Sequence, residues 1–118
     1  MIRGIRGAII VKKNSPKEIL DATGRLLEEI VKSNDVSIED IASVIFTVTH
    51  DLNAVFPAEA ARKIGWKHVP LLCAKEIDVP KSLKKCVRVL MLVNSAKRQQ
   101  DVKHIYLEGA KVLREDFE

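Results

Sequence analysis

The sequence is poor in the features that stabilise small secreted proteins or anchor membrane proteins. Its 118 residues include only two cysteines, and these are not spaced as a CxxC pair. The longest purely apolar run, residues 89–93, is far shorter than the ~20 residues that span a bilayer. Residues 1–7 are charged and interrupted by glycine, whereas a signal peptide needs an unbroken apolar segment. These absences predict a cytoplasmic protein with reduced thiols and no membrane association.

Motifs for metals, nucleotides and nucleic acids are missing as well. The three histidines and two cysteines follow no metal-ligand spacing, and no glycine loop of the Walker or Rossmann type occurs. The net charge is +4, but basic and acidic residues are interleaved along the chain, and aromatic residues make up only 4%. We therefore expect no metal, no cofactor and no nucleic-acid partner.

The residues that are present predict one packed domain over residues 1–118. Hydrophobic residues make up 47% of the chain, which provides enough apolar surface to offset the entropy of ordering it. Ser15 as N-cap and Pro16 at the first helical position predict one long amphipathic helix that ends near Asn34. Further patterns predict a short helix from Pro57 to Gly65 and strands at residues 2–12, 44–49, 68–74, 86–93 and 104–107, with a short continuation at 111–113. The expected fold class is α+β, a mixed β-sheet packed on one long helix.

Arg88 is the most informative candidate site residue. It is the only charge in strand 86–93, whose apolar residues occupy both faces, so its guanidinium is expected to be partly buried. Such a guanidinium keeps its proton, so its buried charge needs a partner. An ion pair with Glu76 or Glu108 and an anionic ligand are equally good candidates for that partner. Arg6 lies in a glycine-flanked strand that another molecule or backbone can approach closely. Together Arg6, Glu76 and Arg88 indicate one shared site for a small anionic ligand.

Three other side chains carry groups that could take part in chemistry. Tyr106, the single tyrosine, is a candidate phenolic donor, although a half-buried packing role is more common for tyrosine. Cys73 and Cys86 are interpreted as small buried hydrophobic side chains, because no base is predicted beside either thiol. The sequence thus contains donors for an anion but no pattern for covalent catalysis.

Five segments resemble the AroH-class chorismate mutases, the monofunctional enzymes of the Bacillus type. They occur in the family's order and are spread over nearly the whole chain. The segments are IRGIRGA at 2–8, DLNAVFPA at 51–58, VP with Cys73 and Glu76 at 69–76, LKKCVRV at 83–89, and HIYLE at 104–108. Each segment is short, but together they are highly specific.

This resemblance implies a homotrimer with a barrel-like centre and three active sites between neighbouring subunits. It implies an isomerase that converts chorismate to prephenate in aromatic amino acid biosynthesis, on the shikimate pathway. The reaction is a Claisen rearrangement, which needs no nucleophile, general base or cofactor. Catalysis then depends on holding the compact substrate conformer and on stabilising the charge that develops as the ether bond breaks.

The resemblance also implies roles for individual residues. Arg88 would donate to the ether oxygen and to a substrate carboxylate, while Arg6 and Tyr106 would bind the enolpyruvyl carboxylate. Glu76, with Cys73 beside it, would contact the ring hydroxyl and the cationic side of the transition state.

The outer parts of the implied site come from other segments. Phe56, Ala58 and Arg62 match the segment that the neighbouring subunit contributes, and Leu113 and Arg114 lie near the mouth. For Arg62 and Arg114 the alternative interpretation is an ordinary solvated charge.

Two features depart from the family pattern, and one spacing requires an interruption of a strand. Cys73 and Glu76 are an odd number of residues apart, so a bulge or a strand end is expected between them. Glu59 stands where the family has a basic residue, and residues 80–82, Pro-Lys-Ser, replace a glycine-rich turn.

The competing functions are a trimeric module that binds small carboxylates and an imine deaminase similar to RidA. A carboxylate opposite Arg88 favours the mutase, because Glu76 would not help a module that only binds acids.

Overall fold

A five-stranded mixed sheet, covered on one face by a long helix, forms the body of the protein. The computed structural model describes residues 1–117, with side chains described through residue 113. The strands are β1 (Ile2–Ile10), β2 (Ile41–Val48), β3 (Leu71–Lys75), β4 (Cys86–Asn94) and β5 (Ile105–Leu107). The helices are α1 (Pro16–Ser33) and α2 (Glu59–Lys63), with 3₁₀ segments at Ile38–Asp40, Gln99–Asp101 and Ala110–Phe117. The predicted α+β fold class is confirmed.

The strand order is β3-β2-β4-β1-β5, so the sheet order differs from the chain order. The central strand β4 is antiparallel to both β1 and β2. The edge strands are parallel to their neighbours, β3 to β2 and β5 to β1. Residues that are far apart in the chain therefore lie in register across neighbouring strands, in what we call a row of the sheet. Such rows bring the candidate site residues together.

Helix α1 is fixed at both ends by side-chain caps. Ser15 accepts a hydrogen bond from the backbone N–H of Glu18 (3.2 Å), as its N-cap prediction requires. At the other end the buried amide of Asn34 donates to the carbonyls of Ile30 (3.0 Å) and Lys103 (2.9 Å). Its oxygen accepts from the backbone N–H of Lys103 (2.7 Å). The helix end is thereby attached to the segment that leads into β5.

The main core lies between α1 and one face of the sheet. Gly7 shows how closely the two layers approach. A Cβ at Gly7 would lie 2.7 Å from Cδ1 of Ile30 and 3.2 Å from the carbonyl oxygen of Ile105. The close approach predicted at this glycine is therefore made by the helix and by β5. The fully buried residues of this core include Ile5, Ile9, Ile19, Leu26, Leu27, Ile30, Val44, Phe46, Val87 and Met91.

Several predicted boundaries differ from the structure by one or two residues, and three predictions differ by more. Strand β2 begins at Ile41 instead of residue 44, since its pairing with β4 already starts there. Strand β3 begins at Leu71 instead of residue 68, after Pro70, which has no N–H to donate. The predicted strand continuation at 111–113 is wrong: those residues belong to a 3₁₀ segment. Glu108 and Gly109 have φ angles of 47° and 64°, and two successive left-handed residues end β5.

The opposite face of the sheet is only partly covered by the described residues. Near β5 the segment Ala110–Phe117 places Ala110 against Cys86 and Tyr106 in a small second cluster. Towards β3 the face is open, and Leu72 and Leu90 are 63% and 36% exposed. Arg6 and Arg88 lie in this open region.

Candidate active site

One row across the sheet brings together residues that the chain separates widely. Tyr106 on β5 is in register with Ala8 on β1, and Ala8 is in register with Arg88 on β4. Arg88 is in register with Thr47 on β2. Residues in register project from the same face, so all four side chains share the open face. The Cα atoms of Tyr106 and Arg88 are two strand spacings apart, about 10 Å, with only a methyl group between them.

Arg6 lies two residues along β1 from Ala8, level with Leu90 of β4, and therefore on the same face. Its backbone N–H donates to Nδ1 of His104 (2.9 Å), which anchors this part of β1 to the segment before β5. Burial, and secondarily the positive charge of Arg6, lowers the pKa of His104. The neutral imidazole that accepts this hydrogen bond is therefore the favoured form.

Glu76 reaches the same face from the end of β3. Its N–H donates to the carbonyl of Val48 (2.9 Å), so the chain stays aligned with β2 just beyond the strand. The carboxylate accepts a hydrogen bond from the hydroxyl of Thr47 through Oε2, while Oε1 lies 3.5 Å from a guanidinium nitrogen of Arg88. The structure thus brings Glu76, Arg88 and Arg6 together, and they line an open cavity of about 310 Å³.

The two carboxylates considered as partners of Arg88 have different roles. Glu108 forms an ion pair with Arg25 at 2.8 Å, and this guanidinium lowers the pKa of Glu108. Glu76 faces Arg88, but at 3.5 Å and with side chains 23% and 33% exposed, respectively. Arg88 is partly buried as predicted, and its ion pair with Glu76 is long and partly solvated.

The turn that leads into β4 is held by a hydrogen-bond network. Asp51 accepts from the backbone N–H of Lys85 (3.0 and 3.1 Å) and from the Thr49 hydroxyl. The Thr49 oxygen in turn accepts from the N–H of Cys86 (3.0 Å). Burial acts to raise the pKa of Asp51, but these hydrogen bonds outweigh it and the pKa is lowered. The network fixes the start of the strand that carries Arg88.

Lys81 lies in the turn where the family pattern has glycine. It adopts a φ of 69°, the left-handed conformation that glycine favours. Ser82 closes this turn by donating from its hydroxyl to the carbonyl of Val79 (2.6 Å).

The two cysteines occupy different environments, and both are free thiols. Cys86 is fully buried, and burial raises the pKa of its thiol to about 11. Cys73 is in register with Phe46 and packs against the main core, so its side chain lies on the helix-covered face. Strand β3 does end before Glu76, as expected, but its register is regular and has no bulge. The structure therefore does not bring the Cys73 side chain to Glu76 or Arg88.

The segment implied to come from a neighbouring subunit lines other parts of the surface than the Arg88 cavity. Phe56 is 71% exposed, and with Cys73 and Glu59 it lines a separate cavity of about 550 Å³. Ala58 is buried, whereas Arg62 is exposed and borders a groove beside Trp66. None of Phe56, Ala58 and Arg62 lines the Arg88 cavity of its own subunit.

Near the other end of the row, Leu113 packs against the small cluster that contains Tyr106. This places Leu113 at the border of the open face. Arg114, the last predicted site residue, lies outside the residues whose side chains the structure describes.

Sequence reasoning missed two residues of this region, Thr47 and His104. Thr47 lies in a mostly apolar strand, and only the register with Arg88 identifies it. His104 belongs to the HIYLE segment, but the sequence predicts no site role for it. Among the described residues, no group of three histidine, cysteine or acidic side chains is arranged to hold a metal ion.

Fold and site together define a small α+β protein whose open sheet face presents two guanidinium groups opposite a carboxylate. Such a pocket suits a compact anionic ligand that also carries or develops positive charge.

Comparisons with known proteins agree with this description. Residues 2–117 match the family model for chorismate mutase type I. The chain is 47% identical to chorismate mutase AroH of Bacillus subtilis over 118 residues, covering 99% of this chain and 93% of that protein. It is 51% identical to chorismate mutase AroH of Thermus thermophilus over 119 residues, covering 100% of this chain and 98% of that protein. The solved structure of a chorismate mutase from Clostridium thermocellum superposes with a TM-score of 0.91 at 53% identity, covering 92% of this chain and 97% of that one.

The chain therefore belongs to the chorismate mutase type I family. The family predicted from the five segments and the enzyme class, an isomerase, are confirmed. The alternatives of a carboxylate-binding module and a RidA-like deaminase find no support in these comparisons. Within residues 1–117 no helix combines the length and apolarity that crossing a membrane requires.

Proposed function

We propose that the cavity lined by Arg6, Glu76 and Arg88 is where this chain converts chorismate to prephenate. The observation that carries the proposal is the sheet register, which supports one open face shared by two guanidinium groups, a carboxylate and Tyr106. Chorismate carries two carboxylates, and two guanidinium groups match that charge.

The chemistry requires little from the protein beyond position and charge. In the rearrangement the ether C–O bond breaks while a C–C bond forms, and all electrons move within the substrate. No proton or hydride is transferred to a side chain, and no covalent bond forms between substrate and protein. The protein therefore acts by holding the compact conformer and by stabilising the developing charge separation.

Arg88 and Glu76 are suited to the two ends of that charge separation. Negative charge develops on the enolpyruvyl oxygen, where the planar guanidinium of Arg88 can donate. Positive charge develops on the ring, where the carboxylate of Glu76 is favourable. Arg88 contacts Glu76 through one nitrogen at 3.5 Å, so most of its five N–H donors can serve the substrate. Arg6 and Tyr106 would bind the enolpyruvyl carboxylate.

The site is proposed to be completed in a homotrimer. The open face exposes Leu72 and Leu90 beside the charged pocket, and Phe56 is 71% exposed at another part of the surface. Apolar surface beside an incomplete site favours a subunit contact. In the trimer, Phe56, Ala58 and Arg62 of one subunit would cover the Arg88 pocket of the next.

Two further assignments follow from the same family membership. We treat residues 1–118 as one domain, because the family model spans residues 2–117. A cytoplasmic location is supported by the two free thiols, which suit a reducing compartment.

The activity is tested by following the loss of chorismate absorbance and the appearance of prephenate in metal-free buffer with EDTA. Undiminished turnover is expected. A rate that disappears with EDTA and returns with metal would contradict the proposed mechanism.

The shared site is tested by mixing two inactive variants. Arg88→Ala and Arg62→Ala subunits are unfolded and refolded together, and each is also refolded alone. If the two arginines belong to different subunits of one site, each mixed trimer contains one site in three with both native side chains. Recovered activity supports the trimeric site, whereas mixtures no more active than the separate variants contradict it. Light scattering confirms the trimer in every sample.

A further inference from the structure

Thr47 contacts the proposed machinery, although no sequence motif includes it. It lies on β2 directly opposite Arg88 and in parallel register with Ala74. Glu76 follows Ala74 by two residues, and side chains two residues apart along an extended chain point to the same face. Glu76 therefore lies on the same face of the sheet as Thr47. Sheet pairing thus places one hydroxyl beside both charged side chains.

The carboxylate of Glu76 is divided between two partners. Oε2 accepts the hydrogen bond from the Thr47 hydroxyl, and Oε1 faces the Arg88 guanidinium at 3.5 Å. The ion pair is long and its members are partly exposed, so by itself it restrains the carboxylate weakly. Thr47 is β-branched and lies on a strand flanked by β3 and β4, so its hydroxyl is a rigid anchor.

Without this anchor the carboxylate would have a better alternative than its present position. An arginine and a carboxylate prefer a close pair with two parallel hydrogen bonds. In that pair Glu76 would occupy the guanidinium nitrogens that the substrate needs, and its own charge would move away from the ring.

We infer that Thr47 is a positioning residue that holds the Glu76 carboxylate apart from Arg88, so that both groups face the substrate. The inference rests on the proposed catalytic role of Glu76. It predicts that the Thr47 hydroxyl, and not its methyl group, is required.

Two substitutions separate the hydroxyl from the methyl group. Thr47→Val removes the hydroxyl and keeps the shape, and we expect kcat to fall about 10- to 100-fold because the carboxylate is misplaced. Thr47→Ser keeps the hydroxyl, and it should restore most of that loss. Thr47→Ala is a second hydroxyl-free variant for use if valine disturbs assembly. If Thr47 only packs, the order should be reversed, with Thr47→Ser and Thr47→Ala impaired and Thr47→Val active. That result would overturn the inference.

Thr23→Val is the matched control. Thr23 is fully buried in α1, its hydroxyl makes no hydrogen bond in the described part of the chain, and it lies on the covered side of the sheet. The same chemical change there should leave kcat and KM unchanged. Melting temperature and oligomeric state are measured on every variant, and a native trimer with reduced kcat is the expected result for Thr47→Val.

A double variant distinguishes failure of this inference from failure of the proposed site. If Thr47 acts through Glu76, Thr47→Val should reduce kcat no further in a Glu76→Ala background. A large Glu76→Ala effect with a neutral or fully additive Thr47→Val overturns only the positioning role. A Glu76→Ala variant with native kcat overturns the proposed role of Glu76 itself.

Discussion

The two faces of the sheet are built from the same strands but differ in how completely the described residues cover them. The face under α1 has apolar side chains at nearly every inward position, and residues such as Phe46 and Met91 are fully buried. The other face places Arg6, Glu76 and Arg88 among exposed leucines. One face is covered within the chain, whereas the other stays partly open in the described residues. Stability and catalysis can therefore be tested separately, one face at a time.

The covered face should show the largest effect on folding. Phe46→Ala is expected to lower the free energy of unfolding by about 3–5 kcal/mol, because its cavity cannot be refilled in a close-packed core. If the proposed trimer forms through the open face, Leu90→Ala there should act mainly on assembly. Chemical denaturation at several protein concentrations distinguishes the two variants. The loss of stability caused by Phe46→Ala should be the same at every protein concentration. The loss caused by Leu90→Ala should grow as the protein is diluted. Equal behaviour of both variants would contradict the division between the faces.

The open face should show the largest effect on rate. Arg88→Ala is expected to reduce kcat at least ~10²- to 10³-fold, about 3–4 kcal/mol, because a preorganised donor to the transition state is lost. Arg88→Lys keeps the charge but loses the planar fork, so it should stay strongly impaired. Kinetics, melting and light scattering are measured on the same preparations. An Arg88→Ala protein with the fold and oligomeric state of the unchanged chain but near-native turnover would exclude the catalytic assignment.

Two glycines test how closely the helix layer approaches the covered face. Gly7→Ala is expected to destabilise the protein by about 1–3 kcal/mol, because the new methyl group would meet Ile30 and the Ile105 carbonyl. Gly24→Ala is the control: apart from its chain neighbours and its own helical backbone, no atom lies within 4 Å of its added Cβ, and alanine favours the helix by about 1 kcal/mol. Thermal melting should therefore shift in opposite directions. Shifts of the same sign would mean that the layers are not packed as described.

The smallest expected effect is a pH dependence at the border of the open face. Burial, and then Arg6, lowers the pKa of His104 below its ordinary value near 6.5. As the pH falls below that value, the unfolded chain takes up a proton before the folded one, so stability present above pH ~6.5 is progressively lost. His104→Asn should flatten this dependence, since its side-chain oxygen can accept from Arg6 without titrating. The free energy of unfolding is measured between pH 5 and 8. If it depends on pH as steeply in His104→Asn as in the unchanged chain, His104 is not the source of the dependence.

The sequence by itself was sufficient for much of this protein. Local patterns identified α1 with its Ser15 cap and all five strands, because amphipathic periodicity and capping are properties of neighbouring residues. The single charge in an apolar strand predicted the partial burial of Arg88, and the family segments predicted the enzyme class. Boundaries were less accurate: the backbone reversal at Glu108 and Gly109, which ends β5, was not recognised in the sequence.

Only the tertiary structure decided which residues share a face. Side chains alternate along a strand, so register between distant strands determines whether a residue joins the pocket or the core. That register placed Thr47 beside Arg88 and Glu76, and it placed the Cys73 side chain with Phe46 on the covered face. It also aligned Tyr106 with Arg88 across Ala8. Pairing of this kind depends on how all the strands and α1 pack together, and no local stretch of sequence contains it.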